Sequence, residues 1–266
     1  MTRDPAAGSD FKHGDRPATI PVFVINLDRS PDRYARVAQS AARYGIAIER
    51  VPGIDGASLD LPSLPGIEPR TFARVNGRPM LAGEAGCYLS HMKAIRTFIE
   101  GDADMALICE DDVDFTDETM PFLRDLSQYQ GWDIVKLFSF RTHGFIRHGD
   151  TSGAVAIGRC LAGPVGSSAA YAISRAGAER FLKSLEPMIV PYDVALERGW
   201  HGSVRVFMTE RKKIALQPEQ PSTISDAYSG KYPFYRRVGT LFFRASEYLK
   251  RMHFARSATS LRKGSA

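Results

Sequence analysis

The chain alternates short apolar runs with turn-rich stretches and longer segments of helical spacing, the pattern of an α/β domain. Residues 21–27 (PVFVINL) form a β-rich run after a turn-rich leader and predict the first core strand. Ser30-Pro31-Asp32-Arg33 follows, with Ser30 as N-cap and Pro31 in the first helical position, so a helix is expected to reach Tyr44 and stop at Gly45. Residues 46–51 then read as a second strand ended by Pro52-Gly53. Strand, helix and strand in that order predict a parallel crossover. Residues 52–82, rich in Pro, Gly and Asp, read as an excursion outside the core. The spacing predicts a helix over 84–100, with Tyr88, Met92, Ile95, Phe98 and Ile99 on its apolar face, leading into a strand at 105–110. More strands are expected at 132–138, 154–157, 168–173 and 203–208, with helices at 174–185 and 190–196.

The apolar run at 105–109 (MALIC) ends on three adjacent carboxylates, Glu110, Asp111 and Asp112. Such neighbours repel, so the arrangement is costly unless a cation or a hydrogen-bond network offsets it. It reads either as a hard-metal site at the carboxyl end of a strand or as a solvated acidic turn. In an open α/β sheet, ligands bind outside the carboxyl ends of the strands. Asn26-Leu27-Asp28-Arg29, Gly53-Ile54-Asp55-Gly56 and Glu110-Asp111-Asp112 all fall at such ends, so three polar clusters are expected to share one rim. An Asp/Glu cluster without His or Cys partners favours Mg2+ or Mn2+, and Mg2+ typically completes its shell with substrate phosphates. A nucleotide diphosphate is the ligand class that follows.

Composition narrows the picture. The 266 residues, 44% hydrophobic and 24% charged, fit one large soluble globular domain, or one domain with an appendage. No apolar run approaches the length of a membrane span. Residues 1–20 carry both signs of charge and no apolar stretch, so a flexible leader over 1–19 is expected rather than a signal peptide. Cys87, Cys109 and Cys160 are too few and too scattered for a disulfide framework, which makes a reducing, cytoplasmic setting the expectation. Charge is unevenly placed. Beyond residue 230 there are nine Lys/Arg against one acid, Glu247, while the rest holds 26 basic and 29 acidic side chains. A nucleic-acid partner loses its support there, because the basicity belongs to the tail. The division expected is a leader (1–19), a main domain (20–228) and a basic amphipathic tail (229–266). In that tail Phe234, Val238, Leu241, Phe242, Ala245, Tyr248, Leu249 and Met252 share one helical face, with Arg236, Arg237, Arg244, Lys250 and Arg251 between them. The stripe suits either an anionic membrane surface or docking on the body.

Four segments in order resemble glycosyltransferase family 25, which includes bacterial lipooligosaccharide and lipopolysaccharide sugar transferases and the collagen galactosyltransferase domains. They are Val24-Ile25-Asn26-Leu27 with Ser30-Pro31-Asp32-Arg33; Gly53-Ile54-Asp55-Gly56; Gly83-Glu84-Ala85-Gly86-Cys87-Tyr88-Leu89-Ser90-His91; and Leu107-Ile108-Cys109-Glu110-Asp111-Asp112. Weaker echoes follow at 170–178 and in Pro191-Tyr192-Asp193. The resemblance implies a GT-A-like, Rossmann-type nucleotide-sugar transferase domain with a mostly parallel central sheet flanked by helices. It implies transfer of a hexose, galactose or glucose, from a UDP-sugar to a saccharide or lipid-linked saccharide acceptor, in lipopolysaccharide, lipooligosaccharide or other surface-glycan synthesis. Glu110 and Asp112, on one side of an extended chain, or Asp112 alone, are then the expected ligands of Mn2+ or Mg2+, with Asp111 turned toward the donor sugar. Asn26, Arg33, Asp55, Glu84 and His91 are the expected nucleotide-sugar contacts, and Asp193 the base that takes the acceptor proton in an inverting displacement. All but Asn26 have a plainer alternative: Arg33 a surface charge, Asp55 an Asx-turn, Glu84 a helix-start acid, His91 a satisfied buried residue, Asp193 an N-terminal helix acid. With the basic tail, the expected setting is the inner face of the cell membrane. The rival readings are a catalytically silent sugar-binding or membrane-scaffold relative and a metal-dependent phosphohydrolase. The latter lacks a Walker-type loop or an Asp nucleophile on the first strand.

Overall fold

The computed structural model describes residues 19–218, 230, 232–257 and 261–264. In chain order the elements are β1 (Val22–Asn26), α1 (Pro31–Arg43), β2 (Glu49–Pro52), α2 (Pro69–Asn76), α3 (Ala82–Glu100), β3 (Met105–Glu110), β4 (Val113–Asp114) and α4 (Thr119–Leu126). Then come β5 (Tyr129–Gln130), β6 (Ile134–Lys136), β7 (Phe145–Asp150), β8 (Ala156–Cys160), β9 (Ala170–Ser174), α5 (Arg175–Ser184), α6 (Tyr192–Ala195), α7 (Gly199–Gly202), β10 (Val206–Thr209), β11 (Ala215–Leu216), α8 (Val238–Arg256) and β12 (Arg262–Lys263). Eight strands form the central sheet in the order β2-β1-β3-β9-β6-β10-β8-β7. The expected parallel crossover is realised: β1 runs parallel to both β2 and β3, and β6 parallel to β10. The remaining pairings, β3–β9, β6–β9, β8–β10 and β7–β8, are antiparallel.

Strand alternation builds the two faces. Phe23 and Ile25 of β1, Ala106 and Ile108 of β3, and Tyr171 and Ile173 of β9 point into one core with Tyr88, Met92, Ile95 and Phe98 of α3. Val22 and Val24, Leu107 and Cys109, and Ala170 and Ala172 point into the other, against Val37 and Ala41 of α1 and Phe122, Leu123 and Leu126 of α4. Residues 52–82 are not outside the core, as their composition suggested. They carry α2, whose Phe72 is wholly buried, and Ile67 and Met80 join the same core. The helix expected at 190–196 shrinks to the single turn of α6.

Glycine makes one close approach possible. A Cβ on Gly86 would sit 2.6 Å from the Gly56 nitrogen and from the Ile54 oxygen, and one on Gly56 would fall 1.9 Å from the Ala82 oxygen. The Asp55-Gly56 turn therefore lies backbone-to-backbone on the first turns of α3. Ser90 ties the two together, accepting from the Ile54 N–H at 2.7 Å and donating to the Gly86 carbonyl at 2.6 Å.

The tail helix docks. On α8, Thr240 donates to the Arg74 carbonyl at 2.9 Å, Glu247 pairs with Arg198, Arg251 pairs with Glu197, and Ala255 is buried. The docked face is not the one read from the apolar pattern. Val238, Leu241, Phe242, Tyr248 and Leu249 stay exposed, Phe242 at 73%. The expected leader, except Thr19, and the 219–229 connection to the tail lie outside the described residues.

Candidate active site

Register brings the three polar clusters together. Ile25 lies opposite Glu110 and Asn26 opposite Pro52, so β1, β2 and β3 end at one level on the sheet. A cleft opens there, lined by Leu27, Arg29, Ser30, Arg33, Ile54, Asp55, Gly56, Gly83, Cys87, Ser90, His91, Glu110 and Asp111. This is the position at which open α/β sheets hold ligands.

The acidic triplet divides between the two faces, but not by simple alternation. The strand stops at Glu110, and Asp111 and Asp112 form a turn, so the pleat that was to put Glu110 and Asp112 on one side does not extend that far. Glu110 faces α3, accepting a hydrogen bond from the Ser168 hydroxyl with His91 Nε2 3.5 Å from its Oε1. Burial alone would raise this carboxyl; contact with His91 and Ser168 and the charge of Arg33 outweigh burial and hold it below the usual range. Asp111 faces α1, where Arg33 Nε donates to Oδ1 at 2.7 Å and Asn26 Nδ2 to Oδ2 at 2.7 Å. Asp112 has a buried Oδ1 with no hydrogen-bond partner among the described residues, and Arg33 is 3.9 Å from its other oxygen. Its carboxyl is pushed up to about 7, first by burial and then by the Glu110 charge. An orphaned, charge-stressed carboxylate oxygen is what a hard cation would satisfy, so Asp112 and Glu110 fit such an ion chemically. The premise that the acids lack soft partners does not hold, since Cys87 and His91 both flank Glu110.

Other expected contacts resolve into different parts. Arg33 lines the cleft while orienting Asp111. Asp55 also lines it, with an Asx contact to the Ala57 N–H at 3.0 Å and an ion pair to Arg29. Asn26, expected at the ligand, is buried with its amide engaged by Asp111, the Ser30 carbonyl and Arg50. Glu84, also expected at the ligand, is 4% exposed, paired with Arg78 and accepting from the Leu81 N–H at the start of α3. The sequence places it one residue from the cleft, but the helix turns it inward. His91 is 1% exposed yet lines the cleft; its ring stacks on Tyr192 at 4.0 Å, and its Nδ1 is 3.2 Å from the Tyr171 hydroxyl.

The sequence-family model described as "Glycosyltransferase family 25 (LPS biosynthesis protein)" matches residues 19–196, more than half of the chain. The chain belongs to glycosyltransferase family 25. Its mixed α/β sheet flanked by helices is consistent with a GT-A-like glycosyltransferase domain. Among relatives, the chain is 28% identical over 133 residues to procollagen galactosyltransferase 2 of Homo sapiens, covering 47% of this chain and 21% of that protein. It is 30% identical over 133 residues to procollagen galactosyltransferase 1 of Danio rerio, covering 47% and 22%. It is also 31% identical over 125 residues to inactive glycosyltransferase 25 family member 3 of Mus musculus, covering 44% and 21%. The matched part thus spans about a fifth of each relative's length.

In this family 25 chain Asp193 stands in the first turn of α6 and is not among the residues that line the cleft. Its carboxyl is raised by burial, then by the charge of Glu197, with Lys136 opposing, and its own charge is felt at Cys87. A raised carboxyl moves toward the neutral range in which a general base works best. Sequence reasoning missed Ser168 and Tyr171, which hold Glu110 and His91 from β9 and the loop before it. Arg29 and Cys87 line the cleft too, although neither is expected there as a site residue from the sequence. The signal for Cys87 was present: four residues before His91, it shares a helical face with it.

Proposed function

We propose that this chain is a metal-assisted hexosyltransferase that moves galactose or glucose from a UDP-sugar to a saccharide acceptor in surface-glycan synthesis, lipopolysaccharide or lipooligosaccharide being the favoured class. The observation that carries the reading is one cleft at the carboxyl ends of β1–β3 that combines cations, Arg29 and Arg33, with the carboxylates of Asp55 and Glu110 and with Asp112 beside them. Guanidinium groups suit a diphosphate. Asp112 and Glu110 would hold Mn2+ or Mg2+, whose chemistry is to neutralise charge on a departing UDP. Arg33 keeps Asp111 fixed at the rim, toward the donor sugar. Asp193 is the proposed base for the acceptor hydroxyl; as it stands off the cleft lining in the first turn of α6, the acceptor would have to reach it there, opposite the leaving group, for the anomeric centre to invert.

The exposed face of α8 supports a membrane-facing acceptor. Phe242 and Leu249 would enter the interfacial layer while Arg236 and Arg244, exposed beside them, meet anionic headgroups. No helix among the described residues is long and apolar enough to cross a membrane.

A screen of nucleotide sugars with the purified chain, with and without Mn2+, tests the reading by released nucleotide. Turnover with a UDP-hexose that needs the metal and drops at least about a hundredfold in Asp112→Ala is expected. No metal-dependent turnover with any UDP-hexose would sink it, and would favour a silent fold like the inactive mouse relative.

A further inference from the structure

We propose that Cys87, His91 and Glu110 form a binding site for one borderline-soft divalent cation, of which Zn2+ is the prototype, on the inner wall of the cleft. Among the described residues they are the one group of three or more His, Cys, Asp or Glu whose donor atoms all lie within 4.8 Å of one another. Cys87 and His91 are separated by one turn of α3 and project from the same face. Glu110 reaches them from the end of β3.

His91 supplies an independent observation. Its ring is 1% exposed, and Nε2 is buried with no hydrogen-bond partner among the described residues, 3.5 Å from Glu110 Oε1. The other nitrogen is engaged: Nδ1 lies 3.2 Å from the Tyr171 hydroxyl, itself 2.7 Å from the Tyr192 hydroxyl, while Tyr192 stacks flat on the ring with a 7° interplanar angle. Metal-bound histidines are held this way, one nitrogen fixed by a neighbour so that the other keeps its orientation toward the ion.

The donor set chooses the metal. A thiolate and an imidazole favour Zn2+ over Mg2+ or Mn2+, which prefer oxygen. Three protein ligands with the fourth side toward a cleft make an open site, the form in which zinc takes a water or a ligand. As the metal–sulfur bond forms, the Cys87 thiol gives its proton to solvent. Thiolate and carboxylate together then balance the two charges of the ion. The site lies on the α3 side of Glu110 and shares that carboxylate with the hard-cation seat proposed at Asp112, and it rests on the cleft's geometry rather than on hexosyl transfer.

Titration of the metal-free protein with Co2+, an optical stand-in for Zn2+, provides the test. One Co2+ per chain is expected, with a four-coordinate spectrum, a thiolate-to-cobalt charge-transfer band, and displacement by Zn2+. Cys87→Ser should remove the band and weaken binding more than about tenfold, and Tyr171→Phe should keep the band while weakening binding by about tenfold. Asp112→Asn should change neither. If Cys87→Ser does not fold, zinc-edge X-ray absorption of the unmutated protein replaces it and should resolve one sulfur neighbour. Absence of binding, or a metal with only oxygen and nitrogen neighbours, overturns the proposal. A spectrum lost in Asp112→Asn but kept in Cys87→Ser also overturns it; that result returns the metal to the acidic turn and leaves the transferase reading standing.

Discussion

Asp112 concentrates the cost of the acidic turn. Its carboxyl sits near 7 because it is buried beside Glu110, with one oxygen unpartnered. A carboxyl whose folded value lies above the unfolded one, about 3.9, holds more protons folded than unfolded between the two. It therefore removes stability as pH rises through that window, and the loss is complete above about 7. Asp112→Asn should stabilise the metal-free protein by roughly 2 kcal/mol at about pH 8, after allowance for partial solvent screening. The gain should shrink toward zero near about pH 4, which urea unfolding across that range measures. A gain that does not depend on pH, or a destabilised variant at about pH 8, contradicts this account. Arg33 and Asn26 illustrate a different economy. Both were expected at a ligand, but Asn26 spends its amide on Asp111, and Arg33 serves Asp111 and the cleft together. Residue type in the sequence identified the polar rim correctly. Which groups remain free for a ligand depends on partners 78 and 85 residues away, and no local pattern encodes that.

Among the elements, α3 was legible from its apolar spacing and its Gly-rich start, and the reason for those glycines lies in the Gly56 turn that packs on them. Helix α2 was not legible, because the Pro- and Gly-rich residues around it mask an eight-residue helix whose Phe72 is buried. Helix α8 was legible as amphipathic, but its orientation was not. Its docked side mixes Phe243, Phe254 and Ala255 with Thr240 and the charges of Glu247 and Arg251, each polar group satisfied by a partner on the body, so it does not read as a plain apolar stripe. The strongly apolar side faces outward, and Phe242 is 73% and Leu249 66% exposed. Phe242→Ser with Leu249→Ser should leave the melting temperature unchanged. The same pair should weaken binding to vesicles containing anionic lipid by about a hundredfold, each buried side chain contributing about 1.5–3 kcal/mol. Raised salt should weaken the unmutated protein's binding further. Vesicle binding that survives both changes refutes the membrane role. Light scattering that reports a dimer lost in the double variant would give the face to a second copy instead.

At the scale of the whole molecule, the cleft exists because three parallel strands end at one level and two helices, α1 and α3, bring Arg33 and His91 to their ends from opposite faces of the sheet. If UDP and a hard cation occupy that cleft together, they bind the folded state alone and must raise its stability. UDP with Mn2+ at a hundred times its dissociation constant should add about 2.7 kcal/mol. That corresponds to a melting temperature higher by about 5–10 °C, and UDP without the metal should give a smaller rise. Equal shifts with and without Mn2+ would separate nucleotide binding from the metal. The sequence by itself determined the α/β class, the parallel crossover at β1–β2, the acids at the strand end and the family, because strand alternation, helical spacing, turn residues and short motifs are local properties. Only the tertiary structure decided that Glu110 turns to Cys87 and His91, that Glu84 is buried in a cap, and that the apolar stripe of α8 faces outward. Each of those outcomes depends on which distant backbone or charge lies opposite a side chain, and the packing of the helices on the sheet settles that.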